Sequence, residues 1–213
     1  MRPAIFLDRD GTLVYPRHYP SRPEDLCLYS GIADELRLLQ SHGLLLIVIT
    51  NQAGIARGYF SEQDLSRMHD HLLQVLAQDG VYLDAIYYCP HHPEGVIPDL
   101  AIRCECRKPQ PGMVLRAARE HAIDLEHSWF VGDILDDIEA GNRARCRTVL
   151  VDLGSEIPPE DTIRQPTYIA RDTLHALQII AAVEGIAVPV ELDYLPSSWH
   201  PTHSVEPGVS GDR

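Results

Sequence analysis

Apolar runs and helical periods alternate along this chain. Ala4-Ile5-Phe6-Leu7 is followed by Asp8 and a Gly11-Thr12 turn, which predicts a short buried strand. Ile32, Leu36 and Leu39 recur at helical spacing between Gly31 and Gly43. Leu44 to Ile49 is an unbroken apolar run ending at Thr50, the pattern of a strand buried on both faces. Asn51 to Gly58 reads as a glycine-punctuated loop. Ser61, with Asp64 three residues on, opens a helix whose buried stripe is Leu65, Met68, Leu72, Val75 and Leu76. Strands are then predicted over 85–88, 128–131, 148–151 and 167–169. Between and after them come helices over 111–122, 136–144 and 173–183, Pro111 sitting near a first turn. Strands alternating with helices predict an α/β fold: a Rossmann-like parallel sheet with helices on both faces and right-handed crossovers.

Residues 1–186 are expected to form one domain. Val14 to Asp25, rich in Pro, Arg and Tyr, reads as a loop beside the site, with no large cap domain. From Ala187 onward Pro, Ser and Gly take over, predicting a disordered tail over 187–213 in which His200 and His203 are solvated. No internal repeat is visible.

A net charge of −13 excludes a nucleic-acid backbone as partner and gives no support to a polybasic membrane contact. Every apolar run is too short for a membrane helix. Asp8, Arg9 and Asp10 interrupt the first apolar stretch, so no signal peptide is expected. Five cysteines, three of them between positions 89 and 106, do not resemble a secreted disulfide framework. A cytoplasmic, reducing home and a monomer are expected. Cys27 and Cys146 are expected in the core.

Lys108 is the only lysine against 17 arginines, which points to a position that needs a compact ammonium rather than a planar fork. Asp8 and Asp10 are two apart at a strand end, where side chains of a strand share a face. Thr50 and Asp133 also fall at the carboxyl ends of strands, the edge where open parallel sheets bind ligands. Carboxylates gathered there repel one another unless a hard cation lies between them, and oxygen ligands suit Mg²⁺. Cys89-Pro90-His91-His92 and Cys104-Glu105-Cys106 supply three thiolates and one imidazole, a tetrahedral set for structural Zn²⁺. The residue chemistry leaves His91 and His92 both open as the fourth ligand.

The apolar strand running into Asp8-Arg9-Asp10-Gly11-Thr12, with Gly132-Asp133 far downstream, resembles the haloacid dehalogenase superfamily of phosphatases. Together with Thr50-Asn51-Gln52-Ala53-Gly54-Ile55-Ala56-Arg57-Gly58, the Cys-Pro-His-His set and Cys104-Glu105-Cys106-Arg107-Lys108-Pro109, it resembles the D-glycero-D-manno-heptose 1,7-bisphosphate 7-phosphatase family over residues 4–180. The resemblance implies Asp8 as nucleophile and Mg²⁺ ligand. It implies Asp10 as general acid/base that reaches the metal through its backbone carbonyl, and Asp133 as a further Mg²⁺ ligand. It implies Thr50, Asn51 and Lys108 as phosphate-binding groups, and substrate contacts from His18, Tyr19, Gln52 and Arg107. His91 is the zinc ligand by the same resemblance, and a small sugar bisphosphate is the expected partner. Asp137 reads equally as an aid to the metal turn and as a solvated acid at a helix start. The family usually carries Lys after Gly-Asp, where Ile134 stands here.

Two other functions fit parts of the pattern. A histidinol-phosphate phosphatase shares the zinc loop and catalytic motifs, but its loop is typically shorter than Pro93 to Arg103. A catalytically silent sugar-phosphate binding protein is supported by Ile134 alone, against intact Asp8, Asp10, Lys108 and Asp133.

Overall fold

The computed structural model describes residues 1–187, 190–196 and 199. The strands are β1 (Ala4–Leu7), β2 (Leu45–Asn51), β3 (Ala85–Cys89), β4 (Trp129–Gly132), β5 (Arg147–Val151) and β6 (Tyr168–Ala170). They form one parallel sheet in the order β3-β2-β1-β4-β5-β6. The helices are α1 (Ile32–Ser41), α2 (Glu62–Gln78), α3 (Gly112–His121), α4 (Leu135–Arg143) and α5 (Thr173–Val183). Every strand and helix expected from the hydrophobic pattern is present.

The pleat of β1 divides the core in two. Ala4 and Phe6 pack with Met113, Val114 and Ala117 of α3 and Ala140 of α4. Ile5 and Leu7 pack with the stripes of α1, α2 and α5. All four β1 side chains are fully buried, and each large one stabilises the fold by about 1.5–3 kcal/mol. Phe6, stacked on Phe130, is the single residue whose loss would hollow the α3–α4 layer most directly. At the start of α2, Ser61 Oγ accepts from the Asp64 amide and the Asp64 carboxylate accepts from the Ser61 amide, the capping box expected there.

Some details differ from expectation. β2 runs through Thr50 and Asn51, because β3 pairs with them through Tyr88 and Cys89. Cys27 is exposed: in its extended stretch the neighbouring Leu26 takes the inward position. Cys146 is buried as expected. The described part of the tail, residues 190–196, has no regular secondary structure, yet it is held against the β5–β6 edge. His175 bonds the Glu191 carbonyl, the Tyr194 hydroxyl donates to Asp152, and Val190 packs on the core. The partners of this stretch lie on α5 and just after β5. His200 and His203 lie outside the described residues. Among the described residues no helix is long and apolar enough to cross a membrane.

From β1 the chain winds outward through β2 and β3, then returns to the other side of β1 with β4. The carboxyl ends of β1, β2 and β4 open together at that reversal, where doubly wound sheets place their ligands.

Candidate active site and metal sites

Asp8 follows β1 directly, tied to β4 by its amide, which donates to the Val131 carbonyl at 2.9 Å. Lys108 reaches it from the loop before α3. Its ammonium is 2.5 Å from Asp8 Oδ1, 2.6 Å from Asp137 Oδ1 and 2.9 Å from the Ile49 carbonyl, and it is 2% exposed. Asn51, the last residue of β2, holds Lys108 by its backbone: Oδ1 accepts from the Lys108 amide and Nδ2 donates to the Lys108 carbonyl, both at 3.1 Å. Burial alone would lower the Lys108 pKa, but Asp137 and Asp8 outweigh it and hold the ammonium above the ordinary lysine range. It is a fixed cation rather than a proton donor.

Asp8, Asp133 and Asp137 each bring one carboxylate oxygen within 4.8 Å of the others. Asp137 is fully buried, so the solvated alternative for it is excluded. Two glycines make this approach feasible. A Cβ on Gly11, at φ +92°, or on Gly132 would lie 2.2 Å from Asp133 Oδ2 or 2.3 Å from Asp137 Cβ. Burial, then repulsion from Asp8 and Asp137, pushes Asp133 up to about 8 against the pull of Lys108. Burial pushes Asp8 up to about 7, with Lys108 opposing and Asp137 and Asp10 adding to the rise. When all three are ionised, three carboxylates against one ammonium leave two uncompensated negative charges. An oxygen-lined cradle of that charge fits a hard divalent cation such as Mg²⁺.

Asp10 does not join that set through its carboxyl. The pleat ends at Leu7 and the chain curls back, Leu13 and Val14 amides both donating to the Arg9 carbonyl. The strand argument that put Asp8 and Asp10 on one face therefore fails past Asp8. Asp10 Oδ2 accepts from Arg9 Nη2 (2.7 Å), Arg9 Nε (3.1 Å) and Gln52 Nε2 (3.0 Å), while Oδ1 is buried without a partner. Asp10 lines a cleft of about 300 Å³ together with His18, Tyr19, Asn51, Gln52 and Arg107, and with Arg17, which the sequence did not single out. His18 packs edge-on to Tyr19, and Tyr19 to Tyr59. Asn51 and Gln52, expected as substrate contacts, spend their amides as braces, Gln52 Nε2 also donating to Thr50 Oγ1 at 2.8 Å. A larger cavity of about 650 Å³ lies against α3 and is lined by none of Asp8, Asp10, Lys108 and Asp133; volume does not locate this chemistry.

Cys89 ends β3 and meets the far side of its loop at Cys104 and Cys106. The three sulfurs lie 3.2–3.5 Å apart, and His91 Nδ1 is 3.4 Å from Cys106 Sγ and 3.6 Å from Cys89 Sγ. None is in a disulfide. Hydrogen bonding with Cys89 first, then with Cys104 and His91, pushes the Cys106 thiol down to about 5 against burial. Four converging soft donors fit Zn²⁺. The geometry selects His91; His92 turns away to Arg57, 3.2 Å from its Nη2. Arg107 leaves this cluster with Nη1 donating to the His91 carbonyl at 3.3 Å.

Arg9 and His69 were missed by sequence reasoning. Arg9 looks like an exposed residue in an acidic turn, and His69 like the polar side of α2, yet Arg9 is fully buried and its Nη1 is 3.3 Å from His69 Nε2.

A doubly wound sheet with acid, lysine and a Gly-Asp turn at its switch point defines a haloacid dehalogenase-like hydrolase, and a HAD-hydrolase-like family model matches residues 105–176. A D-glycero-β-D-manno-heptose-1,7-bisphosphate 7-phosphatase of Pasteurella multocida is 45% identical over 87% of this chain and all of its own length. The Escherichia coli K12 protein of that name is 44% identical over 74% of this chain and 83% of its own. A solved putative HAD-like phosphatase from Mesorhizobium loti aligns with TM-score 0.76 and 35% identity, covering 89% of this chain and 90% of its own. A D,D-heptose 1,7-bisphosphate phosphatase from B. bronchiseptica, solved with magnesium and phosphate, aligns at 0.72 and 31% over 85% of this chain and 99% of its own. The chain belongs to the D-glycero-β-D-manno-heptose-1,7-bisphosphate 7-phosphatase family, and is thus an enzyme of the phosphoric monoester hydrolase class.

Proposed function

We propose that this chain removes the 7-phosphate of D-glycero-D-manno-heptose 1,7-bisphosphate through an aspartyl-phosphate on Asp8, in the cytoplasm and in the making of nucleotide-activated heptose. The observation that carries the reading is the pairing, at one switch point, of a carboxylate fixed by a buried lysine with a second carboxyl whose Oδ1 has no partner. Asp8 attacks phosphorus as the bond to the sugar oxygen breaks, and Asp10 gives that oxygen its proton. Asp10 then takes a proton from the water that attacks the phosphoryl-Asp8, releasing phosphate and restoring the carboxylate. Lys108 and the Thr50 hydroxyl face the transferring oxygens, their positions set by Asn51 and Gln52. Mg²⁺, held by Asp8, Asp133 and Asp137 with the Asp10 backbone carbonyl, would offset the charge that builds on the phosphoryl group. Zn²⁺ on Cys89, His91, Cys104 and Cys106 would fix the loop that delivers Arg107 and Lys108.

Arg107 lines the cleft and is suited to the retained 1-phosphate, with His18 and Tyr19 against the sugar. Histidinol phosphate would bring a cation to that position, so the bisphosphate is preferred. The test is phosphate release from heptose 1,7-bisphosphate, a simple sugar monophosphate and histidinol phosphate, with Mg²⁺, by wild type and Arg107→Ala. The variant should lose the bisphosphate by roughly 2–5 kcal/mol in kcat/KM and the monophosphate far less. Equal losses would assign Arg107 to the reacting phosphate. A wild type that prefers histidinol phosphate would overturn the substrate assignment.

A further inference from the structure

We infer that Tyr59 is a positioning residue for substrate binding: its ring holds Tyr19, and with it the loop over 16–20, in place at the cleft. The inference rests on the proposed contact between Tyr19 and the sugar. Tyr19 has an unfavourable backbone conformation, with φ at +51°. A bulky residue rarely takes a positive φ, and Pro20, directly after it, pushes its neighbour toward extended backbone as well. Such a conformation persists only where the surroundings hold it. The backbone around Tyr19 does not. Among the described residues no backbone-to-backbone hydrogen bond ties residues 16–20. The flanking ones run from the Tyr15 amide to the Cys27 carbonyl and from the Asp25 amide to the Arg22 carbonyl.

Packing takes the place of those bonds. The half-buried Tyr19 ring touches the core and has two rings edge-on to it, His18 and Tyr59, each with its centroid 4.6 Å away. His18 belongs to the same loop and moves with it, so Tyr59 is the aromatic partner that comes from outside. Tyr59 is itself well fixed. Its amide donates to the Gly54 carbonyl at 2.9 Å, and the Arg57 and Gly58 amides donate to the Ala53 and Ile55 carbonyls. The next residue, Phe60, is buried against Gly54, where a Cβ would lie 2.2 Å from its ring. This coil follows directly on β2, whose last residues are Thr50 and Asn51. The Tyr59 ring therefore ties the substrate loop to the strand that carries those phosphate-facing groups. Tyr59 does not line the cleft and is 56% exposed, so its part is to hold Tyr19 rather than to touch substrate.

Without the ring, Tyr19 relaxes toward negative φ and the substrate must order the loop again. That penalty falls on binding, hence on KM, and not on the chemical step. An edge-to-face pair shifts such an equilibrium by about two- to tenfold. Tyr59→Ala should therefore raise KM for heptose 1,7-bisphosphate about fivefold and leave kcat within about twofold. p-Nitrophenyl phosphate, which has no sugar to place, should keep its kcat/KM within about twofold. Tyr59→Phe keeps the edge-on ring and should return KM to the wild-type value. Tyr19→Ala should raise the same KM, and Tyr59→Ala added to it should raise it no further. Trypsin supplies a readout without substrate: cutting after Arg17, with His18 as the new N-terminus, should speed up about threefold or more in Tyr59→Ala. An unchanged KM, a rise shared by p-nitrophenyl phosphate, no recovery by Phe, a further rise in the double variant, or unchanged cutting would each overturn the inference. If Tyr19→Ala leaves KM for the heptose unchanged, the sugar contact falls and this inference falls with it. If Tyr19→Ala raises KM and Tyr59→Ala does not, the sugar contact stands and only the Tyr59 assignment is wrong.

Discussion

The two metal-fitting clusters are built in opposite ways. Cys89, His91, Cys104 and Cys106 close one loop between its own two ends, while Asp8, Lys108, Asp133 and Asp137 arrive from separate stretches and meet only because the sheet places them. The first cluster makes its own geometry, and its ion would be part of the loop's folding. The second inherits its geometry from a packed core and carries like charges that the core forces together. Perturbing the Cys/His set should therefore loosen a region and lower activity in part. Perturbing the acid set should end activity and leave the fold.

Asp8→Asn is the sharpest form of that contrast. It removes the nucleophile, so turnover should fall roughly 10⁴-fold or more. The sheet should stay folded, because the amide removes a charge that burial, and then the neighbouring carboxylates, disfavour at this site. Circular dichroism and phosphate release read both halves. A variant that kept turnover would sink the covalent route.

Lys108→Arg tests shape at constant charge. The ammonium fits between Asp8, Asp137 and the Ile49 carbonyl in a space with no solvent, and a planar fork does not satisfy three such partners from one point. Turnover should drop about a hundred- to thousandfold. A wild-type rate would make the survival of a single lysine among arginines a coincidence.

Removing Zn²⁺ by a chelator should have a smaller effect. The loop's slack reaches Lys108 two residues after Cys106, but Asn51 still clasps the Lys108 backbone from β2. About a tenfold loss of turnover is expected, recovered on adding Zn²⁺, with most of the secondary structure retained. Metal analysis of protein purified without chelators should find one Zn²⁺ per chain, and none at all would defeat the assignment.

The same contrast sets what was legible in the sequence. Local features could be read: the apolar runs that became strands, the capping box at Ser61, and the Cys and His pairs that share one loop. The acid cluster was legible only in part. Asp8 and Asp133 stand at strand ends that apolar runs announce, whereas Asp137 looked the same solvated or buried until the fold buried it. Arg9 was illegible because nothing local says that a turn flanked by carboxylates will be sealed under α2. The strand pleat misled for a physical reason: alternation holds only while the chain stays extended, and it stops at Leu7. Gln52 belongs to the cleft but faces inward, a distinction made by tertiary hydrogen bonds alone.

The smallest expected effect concerns the seam between the two kinds of architecture, where α2 covers the Arg9–Asp10 pair. His69 is pushed from an ordinary 6.5 down to about 4, by burial first and the Arg9 charge second, with Asp10 opposing. As pH falls, the unfolded chain takes up this proton near 6.5 and the folded chain only near 4. Between those values the unfolded state binds more protons, so the folded state loses stability as pH falls through the window and no more below it. The whole shift corresponds to about 3 kcal/mol. His69→Gln has no proton to take up and should lack this acid slope. The carboxylates of the metal cradle titrate in both proteins, so the difference in melting temperature between wild type and variant isolates His69. That difference should move by several degrees in favour of the variant between pH 7 and pH 4.5, with the two proteins keeping a constant offset above pH 7. A difference that stayed constant across the range would mean that His69 titrates normally, in contact with solvent, and is not sealed against Arg9.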